Sequence, residues 1–246
     1  MPSADSRSAM ANRVRRMLMR VADRVPVANR LLAVLPHADY RRLLLASLEP
    51  VTLAFGEVLY EPGDAIRHVY FPNDSLISLL TLVDRQLALE VGMVGREGMV
   101  GVAFVLGSTL SPVRALVQGG GTAMRMKAAP FRKELRQSLS LQRSVHRYTH
   151  ELLVQVAQTA ACNRFHVVEA RLARWLLMTR DRVGSDHFHL TQEFIGHMLG
   201  VRRVGVTNAA HALKQRKLID YSRGNIEIIN GPGLEAAACS CYKLAG

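Results

Sequence analysis

Cysteine is scarce in this sequence, and its scarcity argues against a disulfide-rich protein. Only three cysteines occur, Cys162, Cys239 and Cys241. An odd and sparse set of cysteines does not suggest a disulfide framework, so we expect a reducing compartment, the cytoplasm. Cys239 and Cys241 stand one residue apart, which offers too few ligands for zinc, and the sequence shows no Cys/His pair beside them. We therefore predict no metal and no cofactor, with a redox or metal role for these cysteines as the lesser alternative.

Long apolar runs and catalytic motifs are lacking as well. Every apolar run is broken within a few residues, so we expect no membrane-spanning segment and no membrane partner. The arginine-rich N-terminus lacks the long apolar core and the small-residue cleavage site of a secretory signal. Residues 119–121 are a glycine run without the lysine of a phosphate-binding loop, and no Ser/His/Asp order or paired-carboxylate motif appears. We expect that the protein is not an enzyme.

Basic residues are in excess, and the excess lies at the two ends of the chain. The net charge is +12. Residues 1–30 carry seven basic and two acidic side chains, residues 31–163 carry thirteen and eleven, and residues 164–246 carry twelve and seven. A basic C-terminal third fits a polyanionic partner such as DNA.

The C-terminal third contains the pattern of a helix-turn-helix. Thr191 is a suitable N-cap, because its hydroxyl can accept a hydrogen bond from a backbone N–H of the first turn. Gly200 follows the last apolar residue of that helix, where a left-handed residue is needed. A second helix is predicted over residues 202–216, with an apolar stripe on one side and polar residues on the other. Two β-rich runs around Gly224 predict a hairpin, or wing, after it.

The polar side of the second helix is suited to contact DNA, since it offers donors for base edges and phosphates. His187 and His189 lie just before the helix-turn-helix, in a predicted loop, and we interpret them as surface histidines rather than metal ligands. An amphipathic helical hairpin with a solvated basic face is the alternative. The residues predicted to contact DNA are Thr191, Arg202, Arg203, Val204, Thr207, Asn208, His211, Lys214 and Arg223.

The middle of the chain has the pattern of an all-β unit. Short β-rich runs alternate with turn signals such as the EPGD segment at residues 61–64. Many short strands at this spacing indicate a jelly roll or barrel, which can enclose a small ligand. The predicted strands are residues 51–55, 58–60, 68–71, 76–82, 87–94, 114–117 and 122–126.

Helical spacing returns after the strands, from about residue 130 to 162. A stripe of residues at three- and four-residue steps predicts a seam for a partner helix. Packing of this helix on its own domain is the alternative. A further helix over residues 166–182 is expected to support the helix-turn-helix from behind. The residues predicted to form the dimerisation seam are Leu141, Val145, Tyr148, Leu152 and Val156.

The N-terminal region is expected to be an arm. Arginine alternates with Val, Leu and Met over residues 11–35, which predicts a basic amphipathic helix. Packing on the domain or on a partner subunit is the main expectation for it. Contact with a membrane surface or additional DNA is the alternative.

Several motifs, in this order, resemble a subgroup of the Crp/Fnr family of bacterial transcription regulators. The resemblance covers nearly the whole chain. The motifs are GEVLYEPG at 56–63, VYFP at 69–72, VGREGMVG at 94–101, QVAQTAACNR at 155–164, EARLARWLLM at 169–178, LTQEF at 190–194, GVRR at 200–203 and LEAAACSCY at 234–242.

The resemblance implies an α+β architecture and a set of partners. It implies an N-terminal β-roll like a cyclic-nucleotide-binding jelly roll, a long dimerisation helix and a C-terminal winged helix-turn-helix. The expected boundaries are 1–36 for the basic arm, 37–136 for the roll, 137–163 for the dimerisation helix and 164–246 for the DNA-binding domain. A homodimer is expected to bind an inverted repeat in double-stranded DNA and to contact RNA polymerase.

The sensor region departs from the cyclic-AMP-responsive members of the family. Val102 stands where a glutamate is expected for the ribose, and the segment ending in Arg114 lacks the Arg-Ser pair for the phosphate. A valine cannot accept from a ribose hydroxyl, and an unpaired buried hydroxyl costs about 1–3 kcal/mol, so cyclic AMP is not expected. The predicted effector pocket, for a small molecule of unknown identity, comprises Gly98, Gly101, Val102 and Arg114.

Two other sensing modes of the family are not expected here. No cysteine precedes Cys162, which excludes the N-terminal cysteine cluster that holds an iron–sulfur centre. His68 is the sole histidine of the predicted strands, and we interpret it as structural rather than as a haem ligand.

The recognition helix departs from the family as well. Arg203 matches the first member of an Arg-Glu…Arg trio, whereas Val204 and Asn208 replace the other two. We therefore expect an unusual half-site. A small-molecule receptor whose DNA binding is secondary is the alternative function.

Overall fold

The computed structural model describes residues 27–83 and 87–244, and its first large unit is a β-roll. Two short helices lead into the roll, and a third lies between its fifth and sixth strands. The elements are α1 (Arg30–Ala33), α2 (His37–Leu45), β1 (Glu49–Leu53), β2 (Val58–Tyr60), β3 (His68–Pro72), β4 (Leu76–Val83), β5 (Leu87–Val94), α3 (Val102–Val105), β6 (Arg114–Gly119) and β7 (Gly121–Lys127).

The roll consists of two antiparallel sheets, with strand orders β1-β7-β3 and β2-β6-β4-β5. All seven strands expected from the sequence are present, and their ends differ from the prediction by at most two residues. The roll has a filled apolar interior. Phe71 on β3 and Phe131, on the helix that follows the last strand of the roll, are fully buried, with ring centroids 5.9 Å apart.

The helical region after the roll is two helices, α4 (Ala128–Gln137) and α5 (Leu139–Phe165). Ser138 separates them with extended backbone angles, and its side chain accepts a hydrogen bond from the Leu141 N–H. Ser138 is therefore the N-cap of α5. The long helix begins two residues after the predicted start of the dimerisation segment and ends two residues after its predicted end.

The predicted dimerisation seam is wrong, because α5 turns that stripe towards its own domain. Leu141, Val145, Tyr148 and Leu152 are at most 9% exposed and belong to the core of the roll. Val156 is half-buried. A seven-residue pattern of apolar residues shows that a helix packs on something, but it does not distinguish a sheet of the same chain from a second helix.

The C-terminal unit is a winged helix-turn-helix supported by α6, as predicted from the sequence. Most of its buried apolar residues form a core distinct from the core of the roll. Trp175, which is 5% exposed, belongs to this second core. The elements are α6 (Val168–Val183), β8 (His187–His189), α7 (Gln192–Leu199), α8 (Arg203–Gln215), β9 (Ile219–Ser222), β10 (Asn225–Ile228), α9 (Gly231–Ala237) and a 3₁₀ helix (Ser240–Leu244).

The loop predicted at His187 and His189 is a strand instead. β8 pairs with β10, which lies between β8 and β9 in a three-stranded sheet. Phe188 points into the core while the two histidines are exposed. The alternation of polar and apolar residues was therefore present in the sequence, but a three-residue strand is defined by its partner rather than by its own pattern.

The predicted N-terminal helix lies largely outside the described residues, which begin at Val27. Within the described part, the short helix α1 buries Leu31 and Leu32 in the core of the roll. Asn29 fixes its position: its amide accepts from the Leu32 N–H and donates to the carbonyls of Pro72 and Gly98. None of the described helices is both long and apolar enough to cross a membrane.

The two units pack directly on one another through β5. The Trp175 indole on α6 donates a hydrogen bond of 2.8 Å to the Glu90 carboxylate on β5. Burial raises the pKa of Glu90 to about 7. At the turn after α7, a Cβ on Gly200 would lie 2.6 Å from the Leu89 side chain, so a glycine permits this close approach.

Candidate nucleic-acid interface

The first helix and the turn of the helix-turn-helix form as the sequence predicts. The Thr191 hydroxyl accepts from the Phe194 N–H at 3.2 Å, and Gly200 adopts a left-handed conformation with φ of 61°. The turn closes through a 2.9 Å hydrogen bond from the Val201 N–H to the Gly196 carbonyl. A Cβ on Gly196 would lie 2.9 Å from the Val201 carbonyl oxygen. Gly196 is a requirement of the turn that sequence reasoning missed.

The second helix, α8, divides cleanly into two sides. Val206, Ala209, Ala210 and Leu213 are at most 5% exposed and pack on the C-terminal core. The opposite side faces solvent. Its exposed residues are the predicted Arg202, Arg203, Val204, Thr207, Asn208, His211 and Lys214.

Some side chains of this exposed face already have partners. The Thr207 hydroxyl donates to the Gln192 amide oxygen at 2.7 Å, which connects α8 to the start of α7. The His211 ring and the Gln215 amide are joined at 2.8 Å. Gln192 was not among the predicted site residues, although its place directly after the N-cap of α7 could have indicated it.

Lys214 is tied to the wing. Its ammonium group lies 2.6 Å from the Asp220 carboxylate, and this hydrogen bond lowers the pKa of Asp220. By contrast, within residues 27–83 and 87–244 the side chains of Arg203 and Asn208 form no hydrogen bond or ion pair. The middle and N-terminal part of α8 therefore presents unpaired donors and acceptors to solvent.

The wing is a two-residue hairpin between β9 and β10. Arg223 and Gly224 have φ of 49° and 86°, so both turn residues are left-handed, as in a type I′ turn. Arg223 is exposed at the tip. On the other side of β10, the His189 ring is joined to the Asn225 amide oxygen at 2.8 Å. The third strand thus braces the wing and holds Arg223 at its end.

The predicted effector pocket finds no support in the geometry of the roll. Arg114 pairs with Glu61 at 2.9 Å. A Cβ on Gly98 would lie 2.0 Å from the Tyr148 ring, which covers that backbone. The space beside Gly101, which begins α3 together with Val102, is filled by Tyr60, Ile66 and Val69. Two cavities among the described residues, of about 530 and 480 Å³, are lined by residues other than these four.

His68, interpreted from the sequence as structural, lies beside the Tyr70 ring with centroids 6.3 Å apart. It is half-buried, and desolvation lowers its pKa.

The cysteines are brought together in a way the sequence did not predict. Cys162 and Cys239 have their sulfurs 3.3 Å apart, and the Cys241 sulfur lies 3.5 Å from Nδ1 of His166. The sequence shows no Cys/His pair beside Cys239 and Cys241, but the fold places Cys162 and His166 next to them. Cys162 and Cys239 are 77 positions apart in the sequence, and over such a separation the spacing of residues does not predict a contact.

Comparison with known proteins agrees with this architecture. The sequence profile of the Crp-like helix-turn-helix domain matches residues 170–237. No curated protein sequence matches the chain.

Among solved structures, the chain is similar to FixK2 from Bradyrhizobium japonicum, with 14% identity and a TM-score of 0.67, covering 79% of this chain and 98% of that one. A Crp/Fnr family transcriptional regulator from Thermus thermophilus has 18% identity and a TM-score of 0.63, covering 77% and 98%. The c-di-GMP-responsive global regulator CLP of Xanthomonas campestris has 14% identity and a TM-score of 0.62, covering 76% and 96%. The chain thus has the fold of these regulators, and residues 170–237 match the Crp-like helix-turn-helix domain.

Proposed function

We propose that this protein is a transcription regulator that binds double-stranded DNA in a sequence-specific manner, with α8 in the major groove. The observation that carries the proposal is the exposed polar face of α8, which packs on α7 and, among the described residues, has no side-chain hydrogen bond or ion pair at Arg203 and Asn208. A helix-turn-helix places the N-terminal residues of its second helix against base edges.

Each side chain of the face has a role that follows from its chemistry. Arg203 can donate two hydrogen bonds to O6 and N7 of a guanine, and Asn208 can pair with N6 and N7 of an adenine, each worth about 1–3 kcal/mol of discrimination. Val204, 62% exposed, fits a thymine methyl group. Thr207 and His211 can reach neighbouring base edges. Thr191, Arg202, Lys214 and Arg223 are assigned to phosphates, which fix the register of the protein on the duplex.

We propose further that the protein acts as a homodimer on an inverted repeat, with the outer face of α5 as the dimer interface. This face lies opposite the stripe that is buried in the roll. It repeats at four- and three-residue steps over the full helix, which is the spacing of a two-helix seam. Its exposed members are Leu139, Arg143, His146, His150, Leu153, Ala157, Ala160 and Arg164.

The chemistry of this outer face suits a close helix pair at its C-terminal half. Leu153 is 60% exposed, and Ala157 and Ala160 allow two backbones to approach. A two-fold axis here would place two copies of α8 on successive major-groove faces, about one helical turn of DNA apart. A small-molecule effector and contact with RNA polymerase stay predictions.

DNA binding is tested by gel shift on sequences selected from random DNA. We expect the Arg203→Ala, Asn208→Ala double variant to lose selective binding, while Arg136→Ala, an exposed arginine on α4, keeps it. The affinity of the wild type should fall linearly with salt concentration on a double-logarithmic plot, because phosphate contacts release counterions. If the double variant selects and binds the same site as the wild type, α8 is not the reading element.

The dimer is tested by sedimentation equilibrium. Leu153→Glu would place two like charges against one another across the two-fold axis, and we expect the dimer dissociation constant to rise at least tenfold, equivalent to about 1.4 kcal/mol. Gln137→Glu, an exposed change of the same charge on α4, is the control and should have no effect. Unchanged self-association of Leu153→Glu would exclude this face.

A further inference from the structure

The four residues of the cysteine cluster come from two segments far apart in the chain. Cys162 lies in the last turn of α5, and His166 is the C-cap of the same helix, so a four-residue step places them on one side of the helix end. Cys239 follows α9 and Cys241 lies in the 3₁₀ helix. The Cys239 N–H donates to the Ala170 carbonyl at 3.4 Å, which positions the second segment against α6.

The spacing of the ligand atoms matches that of a single bound metal ion. Three sulfurs and one imidazole nitrogen all lie within 4.8 Å of one another, with Cys162–Cys239 and Cys241–His166 separations of 3.3 and 3.5 Å. A tetrahedral zinc with Zn–S bonds of about 2.3 Å and Zn–N bonds of about 2.0 Å separates its ligands by about 3.6–3.8 Å. The Cys162–Cys239 and Cys241–His166 separations are up to a few tenths of an ångström shorter than these values, and no separation in the set exceeds 4.8 Å, so side-chain adjustments suffice.

We propose that Cys162, His166, Cys239 and Cys241 form a structural zinc site. A closed set of three thiolates and one histidine is a ligand set of structural rather than catalytic zinc, because no coordination position is left for water or substrate. The three cysteines are at most 7% exposed, which agrees with a closed site. The proposal is independent of the proposed DNA binding.

The surroundings of the cluster fit its charge. Zinc with three thiolates carries a net charge of −1, and two buried arginines of α6 lie against it: Arg171 and Arg174 are 7% and 6% exposed and interact electrostatically with Cys162. The Gln158 amide donates a 2.8 Å hydrogen bond to the Cys241 sulfur. Hydrogen bonds of this kind to a ligand atom orient it and tune its affinity for the metal.

The position of the site gives it a mechanical role. Arg171 donates hydrogen bonds to Asn163 at the end of α5 and to the Leu199 carbonyl at the end of α7. A metal ion bound here would therefore fix the junction between α5 and α6 at residues 166–167, and it would hold the C-terminal segment with Cys239 and Cys241 against that junction. Two thiols at 3.3 Å could instead be a disulfide precursor, since a disulfide bond is about 2.05 Å long. That alternative uses only two of the four groups and leaves His166 and Cys241 unexplained.

The test is the metal content of the full-length protein, purified without a metal-affinity step from cells grown with added zinc. We expect inductively coupled plasma mass spectrometry to find about one zinc ion per chain. Cys241→Ser and His166→Ala should retain at least tenfold less zinc. His187→Ala, an exposed histidine on β8, is the matched control and should retain the full amount.

A second variant and a second readout guard against misfolding. Gln158→Ala keeps all four ligands, and we expect a zinc affinity about 10–100-fold lower, measured with a competing chelator. Cobalt added to the zinc-free wild type should give the visible absorption of a tetrahedral ion and thiolate charge-transfer bands. The proposal is overturned by wild-type protein without zinc, by stoichiometric iron or copper in its place, by a Cys162–Cys239 disulfide in freshly purified protein, or by equal zinc loss in His166→Ala and His187→Ala.

Discussion

Two arginines of the β-roll and Arg203 of the helix-turn-helix differ in whether they are paired within their own unit. On the roll, two arginines at the sheet surface are paired within the domain, Arg114 with Glu61 at 2.9 Å and Arg125 with Glu49 at 2.6 Å. On α8, Arg203 is exposed and, among the described residues, its side chain has no hydrogen bond or ion pair. A charge that is paired within its own domain must exchange that partner before it binds a ligand, whereas an unpaired exposed one has its full hydrogen-bonding capacity. The difference locates the proposed recognition surface on the C-terminal unit.

The largest effect is expected where the roll is filled most tightly. Phe71 is fully buried against Phe131, so Phe71→Ala should lower the free energy of unfolding by about 3–5 kcal/mol through lost burial and a residual cavity. Val204→Ala on α8 should change it by less than about 0.5 kcal/mol, because Val204 is exposed. Urea denaturation measures both. Equal losses in the two variants would contradict the division between a packed core and a free surface.

The contact between the two units should make stability depend on pH. Burial raises the pKa of Glu90 to about 7 from 4.5. The folded state therefore holds a proton that the unfolded state has lost between these values, and stability should fall as pH rises from about 4.5 to about 7, by about 3 kcal/mol in total. Above pH 7 this contribution is constant.

Glu90→Gln isolates this effect. The glutamine keeps an acceptor for the Trp175 indole but carries no charge at any pH, so its stability relative to the wild type should rise over the same interval. The comparison uses unfolding free energies of both proteins at matched pH. Parallel pH profiles would show that Glu90 is charged in the folded state or is not shielded from water.

The smallest effect is expected at the wing. Arg223→Ala removes one exposed donor from the tip of the hairpin, and we expect weaker binding that is uniform across DNA sequences, with the salt dependence reduced by about one unit of slope. Gel shifts at several salt concentrations on two unrelated sites measure this. A loss restricted to one sequence would mean that Arg223 reads bases rather than a phosphate.

Local pattern was sufficient to predict much of the molecule. The strands of the roll have short alternating runs bounded by turn residues, and Thr191 and Gly200 mark the ends of α7 by their own chemistry. These signals act within a few residues, so the sequence contains them. The exposed side of α8 follows for the same reason, because helical periodicity separates Val206 and Leu213 from Arg203.

Features that depend on distant partners could not be predicted in this way. The stripe through Leu141 and Tyr148 is apolar whether it faces its own sheet or a second helix, and the fold decides between them. The three-residue strand β8 exists because β10 lies beside it. Cys162 meets Cys239 across 77 positions, and only the junction between α5 and α6 brings them together. Spacing along the chain contains none of this information.

The most direct test of DNA recognition by α8 is selection of binding sites from random double-stranded DNA with the wild type and with Arg203→Ala. The wild type should select an inverted repeat, and the variant should select the same repeat with the preference lost at one guanine in each half-site, at a cost of about 1–3 kcal/mol on the wild-type sequence. If the two proteins select indistinguishable sequences, the exposed face of α8 does not read DNA.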